Sequence, residues 1–362
     1  MNKKIKLFDP SVDSKEEKAI KTVLDSHIWA SGAGTGKVLQ FEERFRKYTK
    51  TSSCIAVNSG TAALHLALSL FNIKNKEVIL PSLSFVSTAH AVIYNGGIPI
   101  FVDVKPDTLC INPEMIKKSI TKKTALILPV HFAGMPCDLD EITRLGKEFN
   151  LKIVEDAAHA AGSSYKNKKI GSHGNSVCFS FHPVKNLAMP SGGAITLNDR
   201  QNNKFTEDLK SKRWMGISNR KGSKYDITNI GWNYYMNEFS AAIGIEQLKK
   251  LDKTNSKRKE IAKKYSKELD IEQKMPLSRD CSYHIFWIIT KNRDDFIKKM
   301  KQNNIEVGIH YSPIHKMKYY RSKSKLPITE KASKNIISLP IHPNLSNTDI
   351  DKIIKLTNKF SN

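Results

Sequence analysis

The stretch VCFSFHPVKNLAMPSGGAITL, Val177 to Leu197, sets a lysine between two runs that read as core. Val177, Phe179 and Phe181 fall on one side of a two-residue alternation; Cys178, Ser180 and His182 fall on the other. Pro183 ends the strand, Lys185 follows, and Gly192-Gly193 opens the second apolar run. A strand buried on both faces is apolar on both, so the face with Ser180 and His182 borders either a cavity or solvent. A lysine in a partly desolvated site has a lowered pKa and acts as a nucleophile toward an aldehyde. The competing reading is a surface lysine, in a chain with 59 Lys plus Arg.

Outward from this stretch, strand-like and helix-like segments alternate. SSCIAVNS, KEVILPS, IPIFVDV, TALILPVHF and LKIVEDAA read as strands; GTAALHLALSLF, SFVSTAHAVIYNG, NPEMIKKSI and DLDEITRLGKEFN read as the helices between them. Such alternation predicts an α/β fold with a largely parallel sheet covered on both faces. Ligands then bind beyond the carboxyl ends of the strands. After about residue 250 the pattern changes to a long charged helix, YHIFWIIT, another helix, IEVGIHY and a final helix near 347–359. We expect a large domain over residues 1–250 and a smaller α+β domain over 251–362.

The 362 residues are 40% hydrophobic and 26% charged, an ordinary globular balance. No apolar run approaches the roughly 18 residues of a membrane helix, and the start lacks an apolar signal-peptide core. Five cysteines without a C-x-x-C pair read as reduced thiols of a cytoplasmic protein. No cluster has metal-ligand spacing. The net charge of +24 raises nucleic acid or anionic substrates as partners. The basic residues are spread, however, and KKLDKTNSKRKEIAKKYSKE interleaves acids at helical spacing, so these read as solvated helix faces. No nucleic-acid or membrane partner is expected.

Two strand ends carry candidate chemistry. AVNSGTAAL passes from strand through Ser59-Gly60 into a helix near Thr61. This is either a plain helix cap or a phosphate site built from free N–H groups and close approach at Gly60. LKIVEDAAHA places Glu155 and Asp156 at the end of an apolar strand, with His159 three residues beyond Asp156. A buried carboxylate there is either a structural ion pair or cap, or a group that keeps a bound heteroaromatic nitrogen protonated. Anion turn, strand-end carboxylate and sequestered lysine together fit pyridoxal 5′-phosphate (PLP), whose phosphate, ring nitrogen and aldehyde need those three groups.

The ordered segments FEERF, VNSGTAALHLAL, PSLSFVSTAHAV, PVHFAG, EDAAHAAGSSY, FSFHPVKN, GGAITLND, GWNYYMNEFSAAIG and LPIHPNLS span nearly the whole chain. With Asp156 and Lys185 separated by 29 positions (185 − 156), the set resembles the DegT/StrS-type nucleotide-sugar aminotransferases. The resemblance implies the type I fold of PLP enzymes, with a mostly parallel seven-stranded sheet between helices and a smaller C-terminal domain. It implies that Lys185 carries the cofactor and shuttles a proton, that Asp156 pairs with the ring nitrogen, and that His159 lies near the ring's 3-hydroxyl. Phe85 would stack on the ring. Gly60, Thr61, Ala62 and Ser180 would bind phosphate, joined by Asn233 from the partner subunit of a homodimer whose sites lie at the interface. His310, Tyr311, His315 and Trp214 are the implied sugar-pocket residues. The implied reaction moves the amine of L-glutamate, released as 2-oxoglutarate, to a keto-sugar nucleotide, a 4-keto-6-deoxy hexose by family frequency. Departures are Tyr235 where the family often has arginine, and Ala188-Met189-Pro190-Ser191-Gly192-Gly193 after the lysine. The branch with histidine in place of the lysine dehydrates its sugar; keeping Lys185 favours transamination. The alternatives are a PLP-dependent sugar dehydratase or other PLP enzyme, or a non-catalytic regulatory or nucleic-acid-binding protein of this fold.

Overall fold

The computed structural model describes residues 4–198, 203–320 and 322–361; Asp199, the last residue of the GGAITLND segment, lies outside them. Two helices, α1 (Ser14–Ser26) and α2 (Gly36–Thr49), precede an alternation of strand and helix. It runs β1 (Ser53–Val57), α3 (Gly60–Leu68), β2 (Glu77–Pro81), α4 (Ser87–Tyr94), β3 (Ile98–Val102), α5 (Pro113–Ser119), β4 (Thr124–Ile127), α6 (Leu139–Glu148) and β5 (Lys152–Asp156). A small hairpin, β6 (Ser164–Tyr165) and β7 (Lys168–Lys169), leads to β8 (Ser176–Ser180) and β9 (Gly193–Leu197). Then come α7 (Asn203–Lys212), an exposed hairpin of β10 (Ile217–Lys221) and β11 (Lys224–Ile227), and the 31-residue α8 (Glu238–Glu268). The chain finishes with β12 (Phe286–Ile289), α9 (Arg293–Gln302), α10 (Pro327–Asn335), β13 (Ile336–Leu339) and α11 (Asn347–Phe360).

The main sheet has seven strands in the order β1-β9-β8-β5-β4-β2-β3. The pairings β3/β2, β2/β4, β4/β5 and β5/β8 are parallel, and only β9 runs against its neighbours β8 and β1. This is the mostly parallel sheet expected from the alternation. Apolar layers cover both faces. One contains Phe41 and Phe45 of α2, Ile142 and Leu145 of α6, and Ala241, Ile245 and Leu251 of α8, and continues into Phe286 and Trp287 of β12. The other is built on Leu64, Leu66 and Leu68 of α3, Val92 of α4 and Leu209 of α7.

The alternation in β8 does what its pattern predicted. Val177, Phe179 and the following Phe181 are buried in the first layer. On the opposite face Cys178 is buried in the second layer, whereas Ser180 is half-buried and His182 exposed. Helix α8 crosses residue 250. It buries Ala241, Ile245, Leu248, Leu251, Asn255, Arg258, Ala262 and Tyr265 at intervals of three or four, and leaves Lys253, Lys257, Lys263 and Lys267 exposed.

The C-terminal part differs from expectation: it adds α10 and β13, which the sequence pattern does not announce, and one expected segment has no regular structure. IEVGIHY is not a regular strand; its ladder pairing is reduced to single bridges, Ile5 with Ile305 and Gly308 with Ser338. The partner of β12 is instead β13, antiparallel in register Phe286 to Leu339. A Cβ at Gly308 would lie 2.6 Å from Leu7 Cδ2, so this segment is threaded tightly between the N-terminal residues and β13. Among the described residues no helix is long and apolar enough to cross a membrane.

Candidate active site

A cavity of about 620 Å³ opens at the carboxyl ends of the central strands. Nine residues singled out from sequence line it together: Gly60, Thr61, Phe85, Asp156, His159, Ser180, Lys185, His310 and Tyr311. They come from five separate stretches of chain, and the sheet order explains the convergence of the central ones. β5 and β8 are adjacent, so Asp156 and the Lys185 turn leave the sheet side by side.

Adjacent carboxylates on β5 point to opposite faces and have different roles. Glu155 is fully buried and accepts from His131 Nε2 at 2.8 Å. His131 Nδ1 accepts from the Cys137 amide at 3.1 Å, which leaves its proton on Nε2. The structural role therefore belongs to Glu155, as the acceptor of a buried hydrogen bond from a neutral imidazole and not as half of an ion pair. Asp156 faces the cavity: its Oδ2 accepts from Thr88 Oγ1 at 2.8 Å and its Oδ1 from the Ala158 amide at 3.0 Å. Burial raises the Asp156 pKa; these two bonds and the Lys185 charge oppose that rise. Each oxygen keeps a lone pair for a further donor.

The turn before α3 forms the second corner. Ser59 caps the helix by accepting from the Ala62 amide at 3.1 Å. Ala62 is thus buried with its N–H already taken, and it does not line the cavity. The amides of Gly60 and Thr61, at the first turn, have no intrahelical partner. A Cβ at Gly60 would sit 2.7 Å from Ser180 Cβ and 3.1 Å from its hydroxyl. Glycine here lets the helix N-terminus and the Ser180 hydroxyl converge on one small space.

Lys185 is the third corner. Its amide donates to His182 O at 2.8 Å, a turn that swings the side chain over the cavity, where it is half-buried. Burial lowers its pKa to about 8, and the Asp156 carboxylate resists the fall. The next residue points the other way: Asn186 Nδ2 donates to Asn255 Oδ1 at 2.8 Å and Ser282 O at 2.9 Å, anchoring the turn to α8. His159 Nδ1 accepts from the Ala133 amide at 3.3 Å and its Nε2 meets the Tyr311 hydroxyl at 3.0 Å. The proton is therefore on Nε2, and burial keeps the His159 pKa well below the ordinary value. Phe85 is exposed at the mouth, its ring 6.0 Å from that of Tyr311.

Three expected residues lie elsewhere in this chain. His315 is fully buried beneath the end of β2, held by Ser82 Oγ at 2.7 Å and Glu330 Oε1 at 3.2 Å. Trp214 packs against Gly32 and under the Arg220 guanidinium. Asn233 touches the rim only through its carbonyl, which accepts from Asn58 Nδ2 at 3.2 Å. Conversely, sequence reading missed Thr88, Phe8 and His284. Thr88 is an unremarked position of a helix start. His284, in CSYHIF, reads as one polar residue before a core strand. No local signal marks Phe8.

The family model for DegT/DnrJ/EryC1/StrS aminotransferases matches residues 10–357. The uncharacterized protein MJ1066 of Methanocaldococcus jannaschii is 35% identical over 378 residues, covering 98% of this chain and 96% of that protein. Among solved structures, Helicobacter pylori PseC, an aminotransferase involved in pseudoaminic acid biosynthesis, superposes with a TM-score of 0.93 at 28% identity, covering 99% of each chain. S. venezuelae DesV superposes with a TM-score of 0.89 at 30% identity, over 96% of this chain and 94% of that one. Spr1654 of Streptococcus pneumoniae, solved in PLP and PMP forms, is 26% identical with TM-scores of 0.92 and 0.93 over 99% of this chain and 99% and 98% of its own. A match of this length and kind means that the chain belongs to the DegT/DnrJ/EryC1/StrS aminotransferase family, whose members are PLP-dependent sugar transaminases.

Proposed function

We propose that this enzyme binds PLP in the cavity and transfers the amine of L-glutamate to a keto-sugar nucleotide, a 4-keto-6-deoxy hexose in the first instance. The observation that carries the reading is the convergence of Lys185, Asp156 and the α3 N-terminus on one cavity. The residues present fit the cofactor. The close approach at Gly60, the Gly60 and Thr61 amides and the Ser180 hydroxyl suit a phosphate. Asp156 has an open lone pair on each oxygen for a ring N–H, and Lys185 supplies the amine. When bound, PLP supplies the electron sink that eases breaking of the substrate C–H bond.

The chain's own residues do the rest. Lys185, its pKa brought near neutrality by burial, takes and returns a proton at Nζ. Asp156, held by Thr88 and Ala158, would keep the ring nitrogen of the bound cofactor protonated. His159 presents a fixed Nε2–H to Tyr311. Apart from Lys185 no lysine or arginine lines the cavity among the described residues, so amides, hydroxyls and the residues of a second subunit must meet the substrate's negative charge. A homodimer with Asn233 reaching the partner's phosphate site, working in the cytoplasm, completes the proposal. We place the boundary between the large domain, 1–250, and the small one, 251–362, within α8.

The test is a single half-reaction. Holoenzyme mixed with L-glutamate alone should give one equivalent of 2-oxoglutarate and leave pyridoxamine phosphate. Absence of that product overturns the aminotransferase reading with this donor. Aminated enzyme offered nucleotide-linked 4-keto and 3-keto sugars should consume one of them; release of a dehydrated sugar instead supports the dehydratase.

A further inference from the structure

His284 enters the site from the C-terminal part, 99 residues after Lys185, and is placed with unusual care. Tyr283 before it holds φ at 49°, a left-handed conformation uncommon for a tyrosine. That conformation is tied down. The Ser278 amide donates to the Tyr283 hydroxyl at 2.7 Å, and the Tyr283 amide donates to Cys281 Sγ at 3.2 Å. The His284 amide donates to Ala133 O at 3.0 Å. The imidazole, 2% exposed, is bracketed by Phe8, stacked at 5.3 Å, and His159 at 4.5 Å.

Held this way, the ring puts Nε2 3.5 Å from Lys185 Nζ. Its Nδ1 is buried without a partner among the described residues. A buried N–H without an acceptor is rarer than a bare acceptor without a donor, so the proton belongs on Nε2, facing Lys185. We propose that His284 is a positioning residue that holds the Lys185 amine as a free base, its Nε2–H donating to the nitrogen lone pair. An ammonium offers no lone pair, so the contact favours the neutral amine, the form that attacks a carbonyl and accepts a proton.

The charged and titratable groups around the pair agree with a neutral His284. Asp156 faces Lys185 from β5; His159, His310 and Arg258 face His284 from the segment after β5, the segment between α9 and α10, and α8. Burial, then repulsion from Lys185, His159, Arg258 and His310, keeps His284 neutral far below its ordinary pKa.

The test reads the Lys185 amine directly and without substrate. The full chain, freed of cofactor, is labelled competitively with acetic anhydride as a function of pH, and the Lys185 peptide is quantified by mass spectrometry. Wild type and His284→Gln, whose amide reaches the Nε2 position, should share one midpoint. His284→Asn, too short to reach, and His284→Leu should show midpoints higher by about 0.5 to 1 pH unit, the worth of one hydrogen bond. If the leucine variant does not fold, the Gln–Asn pair alone decides. An unchanged or lowered midpoint in His284→Asn overturns the proposal, as does a Gln variant displaced as far as the Asn one. The proposal rests on Lys185 being the reacting amine, yet the two fail separately. A missing glutamate half-reaction with the expected midpoints sinks the functional reading alone.

Discussion

Replacing Gly60 by alanine tests the phosphate corner of the cavity. The new Cβ would lie 2.7 Å from Ser180 Cβ, against an ordinary contact of 3.4 Å or more, so helix and strand must part by 0.7 Å (3.4 − 2.7). Neither side yields readily. Residues 62–68 of α3 are all buried, and Ser180 is paired to Gly193 across β8 and β9. Overpacking of this kind costs about 1–3 kcal/mol. If that cost falls on the anion site, PLP affinity drops about 5- to 150-fold. The assay titrates the cofactor-free chain with PLP and, separately, with pyridoxal, which lacks the phosphate, while a thermal melt checks folding. PLP binding should weaken and pyridoxal binding should not. Wild-type affinity for PLP in Gly60→Ala, or an equal loss for both ligands, would refute the assignment of the α3 N-terminus to phosphate.

Thr88→Val removes the hydroxyl that donates to Asp156 Oδ2 at 2.8 Å, with little change of shape. Losing a bond to a charged group costs about 1.5–3 kcal/mol. PLP and pyridoxal affinities should therefore fall together, by about 10- to 150-fold, the opposite pattern to Gly60→Ala. Away from the cavity, Arg213 is buried in an ion pair with Glu42 and also donates to Ala56 O at 2.9 Å and Ala33 O at 3.1 Å. Arg213→Met leaves Glu42 buried without its partner and should destabilise the chain by about 3–5 kcal/mol in denaturant unfolding; a loss below about 1 kcal/mol would count against a dry pair.

The sequence pattern by itself determined the alternation that builds the sheet, the two-faced character of β8, and the placing of a carboxylate pair and a lysine at the ends of strands. Those features are written in short-range periodicity, where a buried face dictates residue type every second or every third to fourth position. Only the tertiary structure decided which of two adjacent carboxylates faces the cavity. Glu155 is claimed by His131, from 24 positions away, and nothing local marks that pairing. It likewise decided that Ser59 takes the Ala62 amide, that His315 is enclosed by Ser82 and Glu330, and that His284, Phe8 and Tyr311 close on the lysine from the two ends of the chain. A strand announces itself through its own neighbours. A cavity is assembled from chain ends and turns brought together by closure of long loops, and one residue contributed from far away leaves no periodic trace.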